Sequence, residues 1–257
     1  MGRLENKVAI ITGAGAGLGE SMAKLFAQEG AAVAIIGRTL SNIQKVAQEI
    51  VEAGGVAEAW KLDVSDVKEI GSVFEAINNK FGKIDILVNN AGVIGTPKKV
   101  YECSEEEYDE VMNIDVKGSF FCTKEVVPYM KNNGKGSIIN ISSIFSVLAF
   151  DGGAPYHLAK GAVNQLTVNS AVSLAEDNIR VNAVLPGTSL TQLVVDHGAK
   201  LMGSTENFLN TVTQAIPMKK ANDPIDVAYA ALYFASDESR TTTATLLPVD
   251  GGQMVTA

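Results

Sequence analysis

Short, almost wholly apolar runs alternate with longer amphipathic stretches along the 257 residues. Lys7 to Thr12, Ala32 to Gly37, Ile84 to Asn90, Ser137 to Ser142 and Arg180 to Leu185 are rich in Val and Ile. Runs this apolar suit strands covered on both faces of a parallel sheet. The stretches between them have helical spacing and explicit boundaries. Asp66 with Glu69 and Ser104 with Glu107 have capping-box spacing. Gly54–Gly55 and Gly82 stand where helices should stop, and Asp223–Pro224 sets an N-cap before a proline at the first helical position. Repeated strand–helix–strand units with right-handed crossovers predict an α/β, doubly wound sheet. No Pro- or Ser-rich linker interrupts the pattern, so residues 1–257 read as a single domain. Residues 188–216 differ in texture, being irregular and partly apolar after a strand end. Ligands bind at the carboxyl ends of strands in open α/β sheets, so this insert is a candidate substrate lid.

Composition narrows the function classes. The formal net charge is −8, and an acidic surface repels phosphate backbones and anionic membranes, so neither nucleic acid nor membrane is an expected partner. Two cysteines, Cys103 and Cys122, make no disulfide framework. Two histidines, His157 and His197, with no ligand cluster at metal spacing, give no metal site. Met1 to Ile11 lacks the apolar core of a secretory signal. Asn6 stands where the myristoylation pattern after Gly2 needs Ser or Thr, and no apolar run approaches a membrane span. A cytoplasmic protein is the expectation.

The turn after the first strand is Thr12-Gly13-Ala14-Gly15-Ala16-Gly17-Leu18-Gly19, and it opens a helix expected to run to about Gln28. Glycines let backbone approach a phosphate, and a helix N-terminus offers free N–H groups and a positive dipole. Glu20 breaks the G-x-G-x-x-G fingerprint, and no Gly-Lys-Ser/Thr follows as in a P-loop. In this strand–turn–helix setting the turn reads as a nucleotide cradle, with Gly13, Gly15, Ala16, Gly17, Leu18 and Gly19 as its residues.

Thr12-Gly13-x-x-x-Gly17-x-Gly19 resembles the cofactor turn of the short-chain dehydrogenase/reductase family, and the likeness continues along the chain to a ketoreductase or 3-oxoacyl-reductase type of member. Asp63-Val64 resembles the family's adenine-contacting pair, and Asn89-Asn90-Ala91-Gly92 its NNAG motif, which would set Asn90, Ala91 and Gly92 beside the cofactor. Ser143, Tyr156 and Lys160 have its catalytic spacing. Pro186-Gly187 with Thr191 resembles its nicotinamide-side segment, and Val249-Asp250-Gly251-Gly252 its last strand and turn. The resemblance implies a Rossmann-type, mostly parallel seven-stranded sheet with helices on both faces. It also implies a homotetramer or dimer joined through the helices carrying Asp115 and Tyr156, which the amphipathic stretch Glu105 to Met130 allows.

The chemistry agrees. Carbonyl reduction needs a hydride donor and an acid beside the developing alkoxide. Free tyrosine titrates near 10, and a nearby cation favours its phenolate. Tyr156 and Lys160 are four residues apart in a segment that reads as helical, Ala154 to Val172, so they share a face. That spacing alone carries little weight; Ser143, at a strand end where its hydroxyl can donate to the substrate oxygen, adds the rest, with Ser142 as the alternative serine. Aligned through Lys117-Gly118, the family's catalytic Asn falls on Asp115. Asn113, two residues earlier, lies about 200° round an α-helix and cannot substitute. Asp115 is expected to take over part of the helix-kinking and proton-relay role. Two further departures are Tyr156-His157-Leu158-Ala159-Lys160, where Tyr-x-Ala-Ser-Lys is common, and Ala244, where Gly is common.

NAD-binding dinucleotide folds place an acid at the end of the second strand, on the ribose 2′-hydroxyl. Here Gly37 holds that position and Arg38-Thr39 follow. Arg38 offers a planar fork for a 2′-phosphate and for stacking on adenine, so NADP(H) is expected over NAD(H), although Ala14 and Ala16 leave the turn without a further basic residue. Phe145, Leu148, Phe150, Leu190, Leu193 and Val194 suggest a pocket for an apolar ketone or secondary alcohol. The competing readings are a 3-oxoacyl-carrier-protein reductase, whose acidic partner the charge of −8 disfavours, an NAD-dependent alcohol or diol dehydrogenase, and a nucleotide-sensing regulator without turnover.

Overall fold

The structure, a computed structural model, describes residues 2–255. Its centre is a sheet of seven strands: β1 (Val8–Thr12), β2 (Ala32–Gly37), β3 (Val56–Lys61), β4 (Ile86–Asn89), β5 (Gly136–Ile141), β6 (Ile179–Pro186) and β7 (Leu246–Val249). The order across the sheet is β3-β2-β1-β4-β5-β6-β7, and every pairing is parallel. The expected seven-stranded doubly wound fold is present, with the strand order reversing between β1 and β4. A ligand crevice opens at that switch point. The central strands are buried along their length, as their near-continuous Val and Ile content requires.

Helices cover both faces. α1 (Gly17–Gln28), α2 (Leu40–Glu52) and α9 (Pro224–Ala235) pack Phe26, Ile43 and Phe234 into one core layer. α3 (Val67–Phe81) and α5 (Ser119–Asn132) pack Phe74, Ile77, Val126 and Met130 into the other, joined by Ala171 of α6 (Ala154–Leu174). The boundary signals act as expected, with one difference. Ser104 and Glu107 form the full reciprocal box at the start of α4 (Glu105–Val111). Gly82 closes α3 at φ 83°. At the start of α3 the Asp66 side chain accepts from the Lys68 N–H rather than from that of Glu69, so the cap is one-sided.

Three features depart from the sequence reading. Met112–Gly118 is a π-helical segment between α4 and α5, so the α-helical angle between Asn113 and Asp115 does not apply there. Residues 188–216 are mostly regular, forming α7 (Gln192–Met202) and α8 (Thr205–Ala215); Phe208 of α8 seats against Gly198 of α7, where any Cβ would collide with its ring. And α6 runs slightly past the expected span, to Leu174. Among the described residues no helix is long and apolar enough to cross a membrane, and no His/Cys/Asp/Glu group has metal-site geometry.

Candidate active site

The glycine turn is built by close approach. Gly13 and Gly17 adopt φ +64° and +60°, a region costly for residues with a Cβ. A Cβ on Gly13 would lie 2.8 Å from Ala91 Cα, and one on Gly19 would abut the Gly13 carbonyl oxygen. One on Gly17 would sit 3.2 Å from Thr191 Cγ2, and one on Gly15 3.1 Å from Asn42 Cβ. The turn therefore exposes bare backbone at the start of α1, which is what a phosphate needs. This cradle, which side chains would fill, fits the pyrophosphate of a dinucleotide.

Thr12 ties the turn to the strand beside it. Its hydroxyl donates to Val88 O at 3.3 Å and accepts from the N–H groups of Asn90 and Ala91, each at 3.0 Å. The Asn90 amide in turn donates to Thr12 O and Gly13 O. The crevice cavity between β1 and β4 is lined by Gly13, Gly37, Arg38, Asp63, Val64, Ala91 and Gly92, together with Leu62, Val93 and Ile114. Six of the expected cofactor-binding residues, all of the first seven but Gly37, thus meet there. Arg38 extends over the rim, more than half exposed, with its guanidinium 3.9 Å from the Asp63 carboxylate; exposed Thr39 holds the N-cap position of α2 without a side-chain cap bond.

On the other side of the crevice Pro186 ends β6. Gly187 approaches Asp250 so closely that a Cβ would lie 2.7 Å from Asp250 Cβ. Thr188 N donates to Gln253 Oε1 at 3.2 Å, and the Asp250 carboxylate accepts from the N–H groups of Gly252 and Met254. The turn at residues 250–254 thereby clips the segment that carries Thr191, and Thr191 caps α7 through Val194 N.

Ser143 follows β5, buried, with its Oγ accepting from Phe145 N at 3.1 Å. Ser142, the alternative, is committed elsewhere, its hydroxyl donating to Lys160 O. Tyr156 and Lys160 lie one turn apart on α6, and the Lys160 ammonium stands 5.5 Å from the centroid of the Tyr156 ring. Lys160 is 6% exposed. It donates to Ile141 O at 3.2 Å and lies 2.9 Å from Oδ2 of Asp115, itself 1% exposed. Oδ1 of Asp115 accepts from Val93 N at 2.8 Å, and its backbone carbonyl accepts from the Ser119 hydroxyl. Burial disfavours the Lys160 charge, but the Asp115 carboxylate and Tyr156 outweigh it and hold the ammonium above the ordinary lysine range.

The residues expected to contact substrate fall into two sets. Phe145 and Phe150 meet edge-to-face at 4.9 Å, and His157 completes the aromatic triangle at 5.7 and 4.5 Å. His157 was missed in the sequence, although it adjoins Tyr156. Leu148 follows in the same loop, hydrogen-bonded to Ile144 O. Leu190, Leu193 and Val194 stand at the opening of α7, with Leu193 exposed. None of the six lines the cavity at the switch point.

A family model described as enoyl-(acyl carrier protein) reductase matches residues 13–254. A 3-oxoacyl-[acyl-carrier-protein] reductase of Thermotoga maritima is 38% identical over 98% of this chain and 100% of its own. Carveol dehydrogenase from Mycobacterium avium, solved in complex with NAD, superposes with a TM-score of 0.96 at 30% identity, covering 99% of this chain and 100% of that one. A 7α-hydroxysteroid dehydrogenase, solved with NADH and 7-oxo glycochenodeoxycholic acid, superposes with a TM-score of 0.91 at 34% identity, over 97% of this chain and 95% of that one.

Proposed function

The chain belongs to the short-chain dehydrogenase/reductase family of oxidoreductases, and on that premise we propose that it reduces an apolar ketone, or oxidises the matching secondary alcohol, with NADP(H). When bound, the nicotinamide supplies or accepts the hydride. Gly13, Gly15, Ala16, Gly17, Leu18 and Gly19 hold the pyrophosphate, Asp63 and Val64 flank the adenine, Asn90, Ala91 and Gly92 floor the crevice, and Pro186, Gly187 and Thr191 border the nicotinamide side. Tyr156 and Lys160 also face the cofactor.

In this reading Ser143 donates a hydrogen bond to the substrate oxygen and Tyr156 gives that oxygen its proton. Lys160 sets the charge beneath Tyr156, and α7 and α8 act as the substrate lid. The carrying observation is the buried Lys160 ammonium 5.5 Å from the Tyr156 ring on a helix facing Ser143's strand end. The aromatic triangle of Phe145, Phe150 and His157, with Leu148, Leu190, Leu193 and Val194, supplies an apolar wall.

Arg38 and the acid-free end of β2 favour NADP(H) through a fork for the 2′-phosphate. A second reading, NAD(H), is favoured by the Asp63 carboxylate 3.9 Å from that guanidinium and by the NAD or NADH present in two relatives. A cytoplasmic homotetramer or dimer completes the proposal. The test is oxidation of NADPH against NADH by purified protein over a panel of prochiral ketones, with Tyr156→Phe alongside. NADPH turnover that disappears in the variant is expected; a preference for charged substrates, or turnover that survives in Tyr156→Phe, overturns the reading.

A further inference from the structure

We infer that Asp115 is a positioning residue whose carboxylate, paired with buried Lys160, keeps the proton on Tyr156 at neutral pH and so equips the site for carbonyl reduction, with alcohol oxidation displaced to alkaline pH. The inference rests on the reading of Tyr156 as the proton carrier. Reduction needs the phenol O–H, which passes its proton to the carbonyl oxygen. Oxidation needs the phenolate, which takes the hydroxyl proton back. A lone ammonium beneath the ring would favour the phenolate. Here that ammonium faces a carboxylate at 2.9 Å, and both side chains are shut away from water, at 7% and 0% exposure. The pair is close to neutral as a unit, so its field at Tyr156 is much weaker than that of a free cation. An asparagine in the same place would accept from Val93 N just as well, and would leave the Lys160 charge uncancelled.

Among the described residues no other charge stands beside Lys160 to restore that field. Lys160 feels Asp115 and Tyr156. His157, the next residue on α6, packs against Phe145 and Phe150 and stands edge-on to Tyr156 with its ring centroid 6.4 Å away, as a neighbour common to the parent and Asp115→Asn. Of the carboxylates on α4, Glu107 is paired with Lys98 at 2.7 Å and Glu105, Glu106, Asp109 and Glu110 are exposed to solvent. β5 presents the Ile141 carbonyl to the ammonium, and Arg180 stands at the opposite end of β6. Arg38 and Asp63 sit together at the far rim of the crevice.

The test compares the chain with Asp115→Asn. The ultraviolet tyrosinate signal of each protein is titrated with no cofactor or substrate present, and the same titration of its Tyr156→Phe form is subtracted to isolate Tyr156. Asp115→Asn is expected to lose the Tyr156 proton roughly one to two pH units lower, and the rise of alcohol oxidation with pH moves down by the same interval. Asp115→Glu, which keeps the charge, is expected to stay nearer the parent. Superimposable Tyr156 titrations in the parent and Asp115→Asn overturn the inference. Should Asp115→Asn fail to fold, nitrogen-15 lysine spectra of the parent decide: Lys160 is expected to remain an ammonium beyond the usual lysine range of about 10.4, and deprotonation below it sinks the idea. Because the titrations need neither ketone nor cofactor, a missing substrate would count against the proposed function without touching this result.

Discussion

Asn140, fully buried in the middle of the sheet, accepts at its Oδ1 a hydrogen bond of 2.8 Å from the amide of Asn89 on the neighbouring strand. The Asn140 amide passes the chain on to Thr167 of α6, also at 2.8 Å, and the Asn89 amide reaches Thr123 of α5 at 3.1 Å. Two strands and two helices are thus fixed behind the crevice by side chains that have no water to fall back on. Asn140→Ala strips partners from two buried groups at once. It is expected to cost about 1–3 kcal/mol or more, read as a lower midpoint in urea unfolding of the cofactor-free chain with an unchanged slope.

Ala244 adopts φ +59°, a left-handed conformation that a methyl group resists. Ala244→Gly removes that resistance, offset in part by the greater freedom of glycine in the unfolded chain. A net gain of up to about 1 kcal/mol is expected, seen as a higher melting temperature with activity unaltered. A lower melting temperature would show that the methyl's packing outweighs the backbone strain.

The two thiols differ in access. Cys122 is buried in α5 and desolvation pushes it up to about 12, so it stays a neutral, unreactive thiol throughout the range in which the fold is handled. Cys103 is only partly covered. A thiol-reactive chromophore at pH 8 should label one cysteine in the native chain and two after denaturation, with mass mapping placing the native label on Cys103.

Arg38→Asp puts an acid one residue past the β2 end, where a ribose 2′-hydroxyl would donate to it and a 2′-phosphate would be repelled. kcat/KM with NADPH is expected to fall at least tenfold, about 1.4 kcal/mol, while that with NADH holds or rises. Undisturbed NADPH use would assign cofactor choice to some residue other than Arg38.

The fold was legible because its central strands are apolar on both faces and its turns carry glycine at the places where backbone must pass close to backbone. β3 gave a weaker signal for a physical reason: at the sheet edge its Val56 is exposed and its Glu58 reaches out to Lys80, so the run is not apolar. β7 is likewise an edge strand and tolerates Pro248. Tyr156 and Lys160 share a helix face that spacing alone reveals. The partnership of Lys160 with Asp115 does not show in spacing, since it depends on how a π-helical turn from one segment meets a helix that begins decades of residues later. The same holds for His157, whose ring matters only because the loop after β5 brings Phe150 back to it. Residues 188–216 looked irregular because α7 and α8 are short and bury little beyond Phe208, so their apolar periodicity is faint.

Thr12, whose hydroxyl gathers the N–H groups of Asn90 and Ala91, sets an order of assembly. Parallel neighbours cannot zip together from a hairpin, so β1 waits for residues 86–89 to leave the ribosome before its second side is occupied. The clip between Thr188 and Gln253 waits longer still, because Gln253 follows 65 residues after Thr188. A nascent chain without residues 250–253 would hold a half-built crevice with one wall unfastened. The crevice is therefore completed only after residues 250–253 have been made, and a change at Asp250 or Gln253, far from Tyr156 in sequence, acts on the same crevice as a substitution in the glycine turn.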